Sequence, residues 1–268
     1  MSELGVLPNH LEERAPESLE AAERQAIGVL GVELNAHLSL TENAFNLIGK
    51  VVSSLPQLTI AEVSQSRKVA TALLVRLSND LRSAALLACR GYALQALSLV
   101  ASMYETAFAI AAIGTDDALA DQWITHEDPI RSWKSVYELT RDGLAKLGVP
   151  NIDTQAAVEY RVYRQLCMAK HVNPLVQAQH GHQLQAQTVV VANGPDLSEP
   201  AIRAAWFALE HAAGLSFIAL SSLITSHMPS EHVSELMKNN EAIGANRKDL
   251  EARAKARWGT DDPFPGRW

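Results

Sequence analysis

Cysteine is close to absent from this chain: Cys89 and Cys167 are the two in 268 residues. They lie far apart, each inside an apolar helical stretch. They read as buried thiols in a reducing cytoplasm rather than as the disulfide framework of a small secreted domain. Aromatic residues are scarce too, at 6%. With alanine and leucine abundant, that scarcity disfavours β-sandwiches and barrels and favours helices. Basic residues fall short of acidic ones, 23 against 30, giving a net charge of −7 and a pI near 5.7. Proteins that grip long stretches of phosphate backbone usually carry a basic surface, so general coating of DNA or RNA is disfavoured. A local basic site inside an acidic molecule stays open.

Long uncharged runs are lacking as well. The longest, Gly91 to Tyr104 and Ala212 to Ser226, are too short to span a bilayer, so no membrane partner is expected. The first thirty residues carry Glu12, Glu13, Glu17, Glu20 and Glu23 and have neither the basic start nor the apolar run of a signal peptide. A soluble cytoplasmic protein is the expectation. GxGxxG, P-loop, GxSxG, HExxH, CxxC and EF-hand patterns and the kinase set are all missing, and no cofactor is expected.

What the chain does have is 47% hydrophobic residues, enough for one sizeable core or a core with appendages. Ser18 caps a helix expected to run to about His37, and Ser39 or Thr41 starts another that ends near Leu55, before Pro56. Thr59 to about Arg90 reads as one long helix ended by Gly91. Tyr92 to Ile113 returns as the second arm of an αα-hairpin, almost wholly apolar, with Glu105 as its one charge. A buried carboxylate needs a partner or a proton, and arginines of the first arm or of a later helix are the nearest candidates. Shorter helices follow over residues 118–123 and 130–147. TVVVA, residues 188–192, is β-branched and bounded by NGP, which suits a short strand or hairpin and equally an ordered loop. Ser198 and Pro200 open a long apolar helix to about Thr225, in which the Trp206–Phe207 pair reads as core. A final amphipathic helix covers about Ser230 to Arg257, and the tail TDDPFPGRW reads as disordered.

The stretch that carries chemistry is EYRVYRQLCMAKHVNP, Glu159 to Pro174. At about 100° per residue Val158, Val162, Leu166 and Ala169 form an ordinary core stripe. Tyr160, Arg164 and His171 fall on the opposite face, where a solvated helix would simply be charged. Arg164 and His171 stand seven positions apart, two turns or about 10 Å along the axis, and Gln165 follows the arginine directly. This RQLCMAKH segment, with tyrosines before it and H-x-N-P after it, resembles the signature of the HEPN superfamily. The hairpin at residues 76–106 is similar to an earlier hairpin of one bacterial branch of that superfamily. That branch has a basic residue shortly before the glutamate, where this chain has Ala101.

The resemblance implies a HEPN-like all-α bundle and a metal-independent endoribonuclease of a toxin–antitoxin or phage-defence system. It implies a homodimer with the motif at a two-fold cleft, RNA or a nucleotide as substrate, and an antitoxin as partner. On that model His171 transfers the proton, Arg164 stabilises the phosphate and Gln165 orients its neighbours. Tyr160 and Asn173 contact ribose or base, and Glu105 supports the site. The residues themselves allow a plainer alternative, a non-catalytic interaction or ligand-binding bundle. There Arg164 pairs with Glu105 or another carboxylate and His171 simply ends its helix, where a partly positive imidazole is favoured. A metal site is the rival from another class, using His180 and His182 with His171 and the Glu210–His211 pair, though their spacing matches no local metal motif. The expected layout is packing helices over residues 1–58, the bundle over 59–228, and a C-terminal helix with its tail over 229–268.

Overall fold

A computed structural model describes residues 18–128, 133–171, 176, 194–260 and 262–264, and the backbone of 182–185 and 188–191. Residues 1–17, Asn173, Pro174, His180 and the last four residues lie outside that set, and the side chain of His182 does too.

The Ser18 hydroxyl accepts the Ala21 amide at 3.2 Å and starts α1, Leu19–Glu33. Leu34 interrupts the chain and α2 follows at once, Asn35–Ser54, so the first helix ends four residues short of His37 and the second begins earlier than expected. The long helix expected from Thr59 opens only at Gln65. Glu62 folds back to accept the Thr59 amide and hydroxyl in a turn, and Ser64 then caps α3, Gln65–Cys89. Gly91 stops α3 with φ 85°, and a side chain there would meet Pro195 at 2.7 Å. The left-handed backbone and the close approach both require glycine.

Helix α4, Ala93–Ile113, is buried on nearly its whole circumference. It packs against α3, against α6 (Val136–Lys146), against α7 (Ile152–Lys170) and against α8 (Glu199–His227). A short α5, Asp117–Ile124, lies along α3. Helix α9, Ser230–Trp258, closes over α8 and α2. His182–Gln185 (β1) and Thr188–Val191 (β2) pair antiparallel, His182 opposite Val191. The architecture is all-α around the α4–α8 pair. Both helices are long and apolar enough to cross a membrane, a length that counting uncharged runs understates. Here 78% and 83% of their apolar windows are buried inside the bundle.

Among the described residues one continuous core runs from Ala26 in α1 to Phe264. Phe264 is 1% exposed, its amide bonded to the Asp262 carboxylate and the Asp262 amide to the Thr260 hydroxyl. This part of the tail therefore departs from the disorder expected of it. Burying a phenylalanine gains roughly 1.5–3 kcal/mol, enough to order a few residues beyond the last helix.

Candidate functional site in the cleft between α7, α8 and α9

Asn151, at φ 53°, turns the chain into α7. The helix ends at Lys170, and His171 is its C-cap with extended backbone (φ −101°, ψ 134°). The periodicity that aligned His171 with Arg164 stops there. The buried side chains of α7 are Ala156, Gln165, Leu166 and Met168, and Val158 is 49% exposed. The expected core stripe holds at Leu166 and, partly buried, at Val162 and Ala169, and is corrected at Val158. The helix is pressed between α4 and α6 on one side and an open cleft on the other, and both valines line the cleft.

On the α4 side, Glu105 is matched by donors from α7. The Tyr163 hydroxyl donates to its Oε1 at 2.8 Å and Lys170 Nζ at 2.9 Å. The expected arginine partner is replaced by the last lysine of the helix and a tyrosine two turns before it. Burial, then the hydrogen bonds to Cys167 and Glu105, push the Tyr163 hydroxyl above the ordinary phenol range. Burial raises the Cys167 thiol too, which withholds the thiolate a nucleophile needs. Tyr160 sits in the same layer, edge-on to Tyr137 at 5.6 Å and stacked on Tyr163 at 5.8 Å. These contacts put Tyr160 in an aromatic ladder.

On the other side lies a cleft of about 820 Å³. Helix α7 contributes Glu159, Arg161, Arg164 and Gln165; α8 contributes Phe207, Glu210 and His211; α9 contributes Arg247 and Glu251; Thr260 and Asp262 close one end. Arg164 and Gln165 therefore share the cleft, whereas exposed His171 lies outside its lining. Glu210 is 3% exposed and faces Arg247 Nε at 3.6 Å, and Arg247 also reaches Glu251 at 3.5 Å. The guanidinium can lie across α8 because residue 214 is glycine. A Cβ there would stand 2.8 Å from Arg247 Nη1 and 2.9 Å from Cδ. Burial raises the Glu159 carboxyl against the pull of Arg247. A hydrogen bond from Lys255 holds Glu251 below its ordinary value.

His211 stacks on Phe207, centroids 3.9 Å apart and planes 30° apart, with Nδ1 2.9 Å from the Phe207 carbonyl oxygen. A carbonyl only accepts, so the neutral ring carries its proton on Nδ1 and its lone pair on Nε2. Sequence reasoning took Glu210 and His211 as metal candidates and did not pair them with Arg164. Their signal was polarity inside an otherwise apolar helix. Arg161 and Arg247 gave no such signal, being two of many cations on mixed helices. Among the described residues no three His, Cys, Asp or Glu side chains gather as a metal site. Compared with protein-family models, curated proteins and solved structures, the chain matches none.

Proposed function

We propose that the α7–α8–α9 cleft binds a phosphodiester, and that the chain is a HEPN-like, metal-independent endoribonuclease of a bacterial toxin or defence system. One observation carries this reading: Arg164 and Gln165, adjacent in the motif, both line a cleft large enough for a nucleotide. Arginine offers a planar fork of donors to phosphate. With Arg161 beside it, the α7 wall carries two guanidiniums against the single carboxylate of Glu159. Opposite them Arg247 is engaged by Glu210 and Glu251. In this reading His171 comes to the phosphate from a second copy across a two-fold axis. A protein partner neutralises the active dimer.

The plainer reading, a non-catalytic ligand-binding or assembly bundle, is favoured by the exposure of His171 beyond the cleft lining. Incubating the purified protein with a labelled single-stranded RNA in excess chelator separates the two. The enzyme reading expects cleavage that Arg164→Ala lowers by about 100-fold or more, a typical loss for a stabiliser of transition-state charge. Binding without cleavage would leave the plainer one.

A further inference from the structure

Cleaving RNA through its own 2′-hydroxyl calls for two proton transfers, one from the attacking hydroxyl and one to the departing 5′-oxygen. The motif helix supplies one histidine, and that one stands outside the cleft. We infer that His211 is the second proton-transfer residue and acts as the base, taking the 2′-hydroxyl proton of a phosphodiester held by Arg164. This inference rests on the phosphodiester reading above and adds to it a residue on a different helix, some forty positions further along the chain.

His211 shares the cleft lining with Arg164 and Gln165, so imidazole, guanidinium and amide surround one volume within a single chain. The ring is fixed on two sides, by the Phe207 stack and by the Phe207 carbonyl. That carbonyl takes the Nδ1 proton and assigns the basic lone pair to Nε2, as a base requires. The ring is half-buried, unlike the carboxylate that precedes it. It can therefore exchange protons with solvent between turnovers.

The step balances as follows. Nε2 of His211 takes the 2′-hydroxyl proton while the 2′-oxygen forms a bond to phosphorus. The bond from phosphorus to the 5′-oxygen breaks, and that oxygen takes a proton from the His171 imidazolium. The products are a 2′,3′-cyclic phosphate and a 5′-hydroxyl. Water then returns His211 to neutral and His171 to its charged form, with no net change in protons. No metal and no further reactant takes part.

The test uses the full chain and a fluorophore-labelled single-stranded RNA, with rates followed from pH 5 to 9 and RNA binding measured separately. Wild type should give a bell-shaped kcat/KM. His211→Ala should lower it by about 100-fold or more, keep RNA binding within about threefold, and lose the acid limb. His211→Gln, which restores a hydrogen-bonding side chain but not a base, should behave as His211→Ala does. It also separates a lost base from a lost fold. His171→Ala should remove the alkaline limb instead. A His211→Ala protein that cleaves within threefold of wild type, or keeps the acid limb, overturns the assignment of His211 and leaves the ribonuclease reading standing. Wild type that does not cleave, or Arg164→Ala as active as wild type, overturns both.

Discussion

Trp206 and Phe207 are neighbours on α8, about 100° apart around its axis, and each has its ring against a histidine, tilted for Trp206 and stacked for Phe207. Trp206 meets His37 at 4.4 Å and is walled in by Trp258 at 4.8 Å and the Arg257 guanidinium at 5.4 Å. His37 is 1% exposed, and neither of its ring nitrogens has a hydrogen-bond partner. Phe207 meets His211 at 3.9 Å beside an open cleft, with Nδ1 anchored to a carbonyl. The ring pairing is alike and the surroundings differ. Burial, helped by the charge of Arg253, lowers the His37 imidazole to about 4, so at neutral pH it is an uncharged filler. His211 is only partly buried and keeps proton exchange within reach. An aromatic–histidine contact therefore says nothing about chemistry until its access to water is known.

Acid should separate the two pairs most strongly. His37 has a folded value of about 4 against 6.5 in the ordinary ring. Between those values the unfolded chain holds a proton that the fold refuses, so stability rises with pH across the window. It is complete above 6.5 and falls as the pH drops towards 4. The loss from this one group amounts to about 3 kcal/mol at roughly 1.4 kcal/mol per unit. Urea unfolding of wild type and His37→Leu at pH 7 and pH 4 should show the wild type losing about that much more than the variant. Equal losses would mean His37 is not sealed.

A smaller effect belongs to the cleft. Arg247→Met removes the cation that faces the Glu210 carboxylate, 3% exposed. Breaking a buried pair costs roughly 3–5 kcal/mol. The arginine side chain is 29% exposed and the cleft admits water, which brings the expected loss to about 2 kcal/mol. Calorimetry should show most of it recovered when Glu210→Gln is added, since the carboxylate that Arg247 faced is then uncharged. The pH 4 to 7 slope assigned to His37 should be untouched. A change there would show that the two sides of α8 are coupled.

The helices were largely legible because their stops are local. Ser18 and Ser198 cap, Gly91 breaks, and the apolar spacing of α4 and α8 admits little else. Errors fell where a local cap competed with a longer pattern, as when Ser64 opened α3 five residues after Thr59. The arginine half of the candidate site was legible from the motif, and Arg164 and Gln165 do share a cleft. The other half was not. Which residues of α8 and α9 face α7 depends on helix packing, and the deciding feature, Gly214 letting Arg247 cross to Glu210, is a contact between residues over thirty positions apart. The partners of Glu105 were missed for a related reason. An arginine was the natural guess for a buried carboxylate, but Lys170 and Tyr163 lay closer once α7 was set against α4.

The smallest effect should come from His211→Ala, and its smallness is informative. The Phe207 carbonyl that Nδ1 touches is also positioned to accept the amide of residue 211 in the helix, so that carbonyl keeps a partner when the ring is removed. The Phe207 stack that is lost is worth about 1 kcal/mol, and alanine returns part of that through helix propensity. A net loss of about 0.5 kcal/mol is expected in urea. A loss above about 2 kcal/mol would make His211 a packing residue like His37 and erase the distinction between the two pairs. A small loss in stability beside a large loss in cleavage would mean that the ring is held where it is for the cleft and not for the fold.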